Sequence, residues 1–271
     1  MVVLKPLISV NLTTFNRPKL LRRALNSIFS QTFKNIEVIV IDDNSSENYE
    51  KLIQDFSKVH KNFFYFKNNK NLGNAKSRNI ALSKSKGEFI AFLDDDDFWI
   101  DKDKLKRQLK VLLKDKKEEI GFSCTSVEKY TSDNKKQKHI IKYPKNLKSK
   151  ILSGNGFIYS TTVLIRKNLL LETKGFDENF PRGIDSDLFR RIIINHRKKI
   201  YIDQTITTYV REFGLDRMTP INTRKSIEKN LISHFLTLYK FNIIFLFYPY
   251  ALLQRIYSIM VSIWKLISIK N

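Results

Sequence analysis

Along the first hundred residues, apolar runs of strand length alternate with segments whose apolar positions recur at helical spacing. Leu7-Ile8-Ser9-Val10-Asn11-Leu12 reads as a strand, and the Asn and Pro of Thr13-Thr14-Phe15-Asn16-Arg17-Pro18 mark a turn into a helix. Leu20, Leu21, Ala24, Leu25, Ile28 and Phe29 then give that helix one face to pack on a sheet. Ile36 to Ile41 is a second strand, after which Ser45 or Ser46 is placed to cap the next helix. Phe63 to Phe66 is a third, and Gly73 opens a helical stretch, Asn74 to Ser85, that stops at Gly87. Phe89-Ile90-Ala91-Phe92-Leu93 follows at once, an apolar run suited to a strand buried on both faces. This β-α order predicts an α/β fold: a Rossmann-like, mostly parallel sheet flanked by helices through right-handed crossovers.

Farther on, Asp101 to Lys117 reads as a basic helix and Ile120 to Val127 as a strand. Glu128 to Lys150 is Lys-rich and nearly free of periodicity, so it reads as a mobile, solvated loop. Ser160 to Arg166 reads as another strand, and a helix begins near Ile184, with Ile193 and Ile194 towards the core. From Asn230 the composition turns to Phe, Leu, Ile and Tyr. Phe241 to Gln254 is uncharged, contains Pro249 and is too short to span a membrane. In the helix that follows, Gln254, Ser258, Ser262, Lys265 and Ser268 form one narrow polar stripe, leaving a wide apolar face that includes Leu253, Met260 and Trp264. Such a face needs a lipid interface or a protein partner, and a membrane surface is favoured over homodimerisation through the helices.

At 271 residues and 42% hydrophobic content the chain suits one large domain or one domain with an appendage. A single cysteine, Cys124, excludes an internal disulfide and is expected to be a small core residue. The four histidines show no zinc-ligand spacing, and Met1 to Pro6 leads straight into a strand without the pattern of a signal peptide, so cytoplasmic placement is expected. The formal charge of +22 suits an anionic substrate or membrane surface, and equally a Lys-rich compositional bias. No RNA-recognition signature or interleaved basic and aromatic pattern supports nucleic acid.

The chemistry is expected where the Phe89–Leu93 run ends in Asp94-Asp95-Asp96-Asp97. Ligands of open α/β sheets bind beyond the carboxyl ends of strands. Carboxylates crowded there repel one another unless a cation or donors compensate, and hard oxygens suit Mg²⁺ or Mn²⁺ shared with substrate phosphates. An acidic solvated loop is the bland alternative. No Gly-x-Gly-x-x-Gly follows the first strand and there is no Walker loop. Asp42-Asp43-Asn44 lacks the small hydroxyl residue that follows the nucleophile of haloacid-type phosphatases.

Five motifs, in order, resemble family 2 glycosyltransferases over about residues 7 to 215: Ile8 to Arg17, Ser30 to Phe33, Val40 to Ser46, Asn71 to Asn79, and Phe92 to Trp99. The resemblance implies a GT-A fold over residues 1–220, with a nucleotide-binding half, 1–100, and an acceptor half, 101–220; outside it, the apolar face described above makes 221–271 a helical amphipathic extension that associates with membrane or oligomerises. It implies inverting transfer of a sugar from a nucleotide donor, UDP-sugar favoured, to a saccharide or lipid-linked saccharide in surface polysaccharide or glycan biosynthesis. Thr13 and Phe15 would line the nucleobase pocket, Asp43 would accept from the base, and Arg78 would lie near the nucleotide. Asp94 and Asp96 match the family's Asp-x-Asp, facing the ribose or an Mn²⁺ or Mg²⁺ ion that bridges the diphosphate, and Asp95 is grouped with the donor contacts. Failing a ligand role, Asp95 and Asp97 would be solvated or cap a helix.

Ile184-Asp185-Ser186-Asp187-Leu188 matches the family's Glu-Asp-x-Asp-Leu, which places Asp185 at the general base; Ile184 departs from the usual Glu. Asp187 is the next candidate, and both would also favour a helix N-terminus without catalysis. Arg211 or Arg217 falls where relatives contact the diphosphate. Placement is therefore expected at the inner face of the cell membrane. The alternatives are a nucleotidyltransferase acting on sugar phosphates and a membrane-bound scaffold with a degenerate site.

Overall fold

A computed structural model describes residues 6–130, 135–154, 156–211 and 223–268. Among the described residues nine strands form one sheet: β1 (Ile8–Thr14), β2 (Ile36–Asp42), β3 (Phe63–Lys67), β4 (Phe89–Phe92), β5 (Phe98–Trp99), β6 (Ile120–Tyr130), β7 (Lys136–His139), β8 (Leu164–Arg166) and β9 (Lys199–Val210). The helices are α1 (Pro18–Phe29), α2 (Glu50–Val59), α3 (Asn74–Lys84), α4 (Lys104–Lys114), α5 (Leu147–Leu152), α6 (Lys167–Glu172), α7 (Ile184–Arg190), α8 (Arg224–Lys240), α9 (Asn242–Phe245) and α10 (Pro249–Ser268).

The described chain forms two compact units, which do not divide at a single cut near residue 220. The first comprises 1–142, 158–175 and 198–213 and holds the whole sheet; the second comprises 143–157, 176–197 and 214–271. In the first unit the strand order is β3-β2-β1-β4-β8-β6-β9-β5, with β7 paired to β6. β1 lies parallel between β2 and β4, and every residue of β1, β2 and β4 is buried, as expected of a sheet covered on both faces. From β1 the chain winds outward to β2 and β3, then returns across β1 to β4. That reversal puts a crevice at the carboxyl ends of β1 and β4. Leu21, Ala24, Leu25 and Ile28 of α1 are buried in the core they were expected to reach.

Three expectations are corrected, and the burial of Ile193 and Ile194 after Ile184 is met with a local change of helix form. Neither Ser45 nor Ser46 caps α2, which starts at Glu50 with Tyr49 before it. Ser45 instead bonds the Asp42 carboxylate through both its amide and its hydroxyl, at 2.8 and 2.5 Å. The stretch 128–150 is not an uninterrupted loop, because β6 runs on to Tyr130 and pairs antiparallel with β7, and Asn146 caps α5. Lys136, Gln137 and Lys138 are exposed, so this hairpin carries no apolar alternation to read. Residues 160–162 form a 3₁₀ turn, so the strand there shrinks to β8. The helix after Ile184 widens to a π turn over Arg191–Asn195, which buries Ile192, Ile193 and Ile194 together.

In the second unit, α10 packs on α8 and α5. Its inward positions are Ala251, Arg255, Ile259 and Ser262, all buried. Its outward positions are apolar: Leu253, Tyr257, Met260, Trp264 and Ile267 are each more than 60% exposed. No helix among the described residues is long and apolar enough to cross a membrane.

Candidate active site

The site in the first unit is built by loops at the β1/β4 crevice. After Thr14 the chain turns through Asn16, whose φ of 56° is left-handed, a conformation Asn tolerates better than most residues. The Asn16 side chain accepts from the Ser46 and Glu47 amides at 2.8 and 3.3 Å, and the Asn16 amide donates to Ser45 Oγ at 2.8 Å. The loops after β1 and β2 are thereby laced together. Thr13 Oγ1 donates to Asn74 Oδ1 at 2.9 Å, tying the end of β1 to the start of α3, and Phe15 sits half-buried on the loop from β1 to α1.

Asp43 is buried and organises the opposite wall. Its Oδ1 accepts from the Leu72 amide at 2.8 Å, Asn68 Nδ2 at 2.9 Å and Ser77 Oγ at 3.0 Å, while Oδ2 accepts from the Gly73 amide at 2.8 Å. Acceptance from a nucleobase would therefore fall to Oδ2, which has the lighter load. Asp42 is fully buried and is taken by Ser45 and the Tyr65 hydroxyl, so the second carboxylate of this strand end is a brace.

The four aspartates after β4 divide by alternation. Asp94 and Asp96 keep side-chain exposures of 35% and 18%, whereas Asp95 and Asp97 are buried. Asp95 accepts from Thr14 Oγ1 at 2.8 Å and pairs with Arg17 at 3.1 Å. Burial pushes its carboxyl up to about 7, against the pull of Arg17 and with a further push from Asp96. Asp97 accepts from the Arg211 amide at 2.9 Å and is raised well above the usual carboxylate range, by burial first and then by Asp94 and Asp96. Neither is solvated or a helix cap, which corrects that reading of Asp95 and Asp97.

Each open carboxylate is held by an arginine. Arg78, itself buried, pairs with Asp94 Oδ1 at 2.5 Å, and Arg17 reaches Asp96 Oδ2 at 3.1 Å. Arg23 donates to the Asp96 carbonyl at 2.7 Å, with its guanidinium 4.5 Å from the centre of the Phe98 ring. Arg17 and Arg23 had no assigned role in the sequence reading; the Arg-Pro at a helix start was the one available hint. Among the described residues no three His, Cys, Asp or Glu side chains converge as a metal cage. Two partly exposed carboxylates on one side of a turn still fit a hard cation that draws its other oxygens from substrate phosphates and water, as Mg²⁺ and Mn²⁺ do.

The second unit carries Asp185, half-buried in the first turn of α7, behind Gly183 with a left-handed φ of 71°. Asp187 is fully buried and accepts from Arg191 Nε at 2.8 Å and Lys240 Nζ at 3.1 Å, so it is paired away from solvent, whereas Asp185 is only half-buried. Arg217 lies outside the described residues; Arg211 follows β9 in the first unit.

The profile described as Glycosyl transferase family 2 matches residues 9–173. A GalNAc(5)-diNAcBac-PP-undecaprenol beta-1,3-glucosyltransferase of Campylobacter jejuni is 33% identical over 221 residues, covering 79% of this chain and 67% of the relative. The crystal structure of S. aureus TarS 1-349 in complex with UDP-GlcNAc superposes with a TM-score of 0.64 at 21% identity, over 85% of this chain and 66% of that one. The mannosyltransferase PcManGT from Pyrobaculum calidifontis, in complex with GDP-Man and Mn²⁺, gives a TM-score of 0.67 at 16% identity, over 98% and 75%. At those identities the two structures establish the GT-A fold.

Proposed function

The chain belongs to glycosyl transferase family 2, and from that premise we propose that it moves a sugar from a nucleotide-diphosphate sugar, UDP-linked by preference, to an acceptor hydroxyl with inversion. The observation that carries this reading is the alternation at the β1/β4 crevice: Asp94 and Asp96 open, Asp95 and Asp97 buried beneath them, with Arg17 and Arg78 holding the open pair. Asp94 and Asp96 are the residues that would hold a divalent cation, Mn²⁺ or Mg²⁺, which when bound offsets charge gathering on the leaving diphosphate. Arg78 fixes the orientation of Asp94, and Arg17 that of Asp96. Thr13, Phe15 and Asp43 are assigned to the nucleoside, and Asp95 to holding Arg17 in place. Arg211 or Arg217 is assigned to the diphosphate.

Asp185 takes the proton of the acceptor hydroxyl as its oxygen bonds the anomeric carbon, while the bond from that carbon to the diphosphate oxygen breaks and leaves its electron pair on the diphosphate. Attack opposite the leaving group inverts the centre. The acceptor is assigned as a saccharide or lipid-linked saccharide, in keeping with the name of the Campylobacter relative, and the setting as the inner face of the cell membrane in surface glycan assembly. The outward apolar face of α10 supports membrane attachment.

The test is a panel of UDP- and GDP-sugars with Mn²⁺ and membrane lipid extract, resolving the products. Release of nucleoside diphosphate with the sugar moved to an acceptor is expected, and Asp185→Asn should slow transfer roughly 10²- to 10⁴-fold with donor binding intact. Release of sugar 1-phosphate, with the nucleoside monophosphate moved in its place, would indicate nucleotidyl transfer, and no turnover with any donor would indicate a scaffold; either defeats the proposal.

A further inference from the structure

The second unit contains a cavity of about 330 Å³ formed by α8, α10 and the segments holding Gly154 and Arg182. Arg182, His234 and Lys265 line it beside Ser226, Asn230 and Ser258, and among the described residues no carboxylate does. Directly behind the wall lies Arg255, only 3% exposed. Its guanidinium donates to the Leu152 carbonyl at 2.5 Å and to His234 Nδ1 at 2.9 Å, and a Cβ added at Gly154 would stand 2.7 Å from it. Arginine only donates, so His234 Nδ1 must accept and the neutral ring carries its proton on Nε2.

Arg255 and Arg190 bring buried positive charge together behind this wall. Nε of Arg255 and Nε of Arg190 are both buried without a hydrogen-bond partner. The buried carboxylate of this unit, Asp187, already serves Arg191 and Lys240. Burial first, and then Arg190, holds Arg255 down to about 9; burial, then Arg255 and Arg190, hold His234 down to about 4. Buried cations are costly unless an anion or strong acceptors meet them. The cavity is also continuous with the apolar exterior. Tyr257, which lines it, is 64% exposed in the same outward face as Leu253, Met260 and Trp264.

We propose that this cavity binds the phosphate group of an anionic membrane lipid, with the acyl or prenyl portion lying along the outward face of α10. The inference rests on the membrane attachment proposed above. Arg182, Lys265 and the Nε2–H of His234 supply donors to the phosphate, while Arg255 holds the His234 tautomer and adds charge from behind. Lipid is favoured over a free anion because the cavity shares Tyr257 with an apolar surface that water does not stabilise.

The full chain is tested by co-sedimentation with phosphatidylcholine vesicles and with vesicles carrying phosphatidylglycerol at roughly one lipid in three, an anionic surface of the kind that attracts basic residues. Arg182→Gln with Lys265→Gln should lower affinity for the anionic vesicles about tenfold or more, whereas Lys145→Gln with Lys148→Gln, equal in charge and outside the cavity, should lower it by less than about threefold. UDP-sugar binding should be unchanged in both. By NMR, the His234 pKa should rise by about one unit or more with anionic vesicles, as an opposite charge nearby requires. Equal loss in the two double variants, or an unmoved His234, overturns the cavity assignment and leaves membrane attachment standing. Parent protein that ignores both vesicles but shifts His234 on titration with inorganic phosphate overturns the lipid and identifies a free-anion site. Loss of UDP-sugar binding in the parent would instead count against the glycosyltransferase reading.

Discussion

Successive side chains leaving a strand point to opposite sides, and this separates Asp94 and Asp96 from Asp95 and Asp97. A cation between the open pair would compete with two arginines and be repaid by the donor diphosphate. Asp96→Asn keeps shape and removes a charge, so metal-dependent binding of UDP-sugar should weaken by about tenfold or more; calorimetry with and without Mn²⁺ measures it, and unchanged metal dependence would relocate the site. Asp95 makes a different prediction. Its folded-state pKa is raised to about 7 from the 3.8 of an ordinary aspartate, so the folded state holds the proton more firmly. The stability this contributes is fully present below about pH 4 and is lost as pH rises through about 7. Asp95→Asn lacks that titration, and Arg17 keeps Asp96. Urea unfolding at pH 4.5 and 7.5 should therefore show the parent losing on the order of 1–3 kcal/mol relative to the variant across the window. A gap that does not change with pH would mean Asp95 is ionised throughout.

At the scale of elements, α10 reverses the usual arrangement of an amphipathic helix on a globular unit. Its inward stripe includes Arg255, Ser258 and Ser262, with Ser258 and Ser262 hydroxyls bonded to carbonyls one turn back, while Met260 and Trp264 face outward. Two cations of this segment are thereby withheld from a lipid surface: Arg255 is buried, and Lys240 is committed to Asp177 and Asp187. The larger share of attachment then falls to the apolar side chains, each contributing about 1.5–3 kcal/mol when fully withdrawn from water. Leu253→Ser, Met260→Ser and Trp264→Ser together should abolish co-sedimentation with vesicles. Because these side chains are exposed, each change should alter folding stability by no more than about 0.5 kcal/mol. Retained vesicle binding, or collapse of the fold, would show that the face is packed rather than presented.

For the whole molecule, the charge of +22 adds a long-range attraction to anionic surfaces that salt removes, since the screening length falls from about 10 Å at 0.1 M to about 3 Å at 1 M. Binding to anionic vesicles should therefore weaken at 1 M salt yet persist, and complete release would make attachment electrostatic alone. Much of this molecule is legible in order along the chain. The apolar runs of β1, β2 and β4 and the spacing of Leu21, Leu25 and Ile28 are local consequences of burial, and motifs such as Asp94 to Asp97 are contiguous. Strand β7 left no such trace, because Lys136, Gln137 and Lys138 are all exposed on both sides of the alternation. What the chain order could not contain is adjacency between distant segments. Strand order placed β1 beside β4 and so brought Arg17 to Asp95 and Asp96, an encounter across about eighty residues. Tertiary packing likewise turned the polar stripe of α10 inward and closed Arg255 against Leu152 and His234, because the fold buries whichever face finds partners, and only the folded chain decides where those partners are.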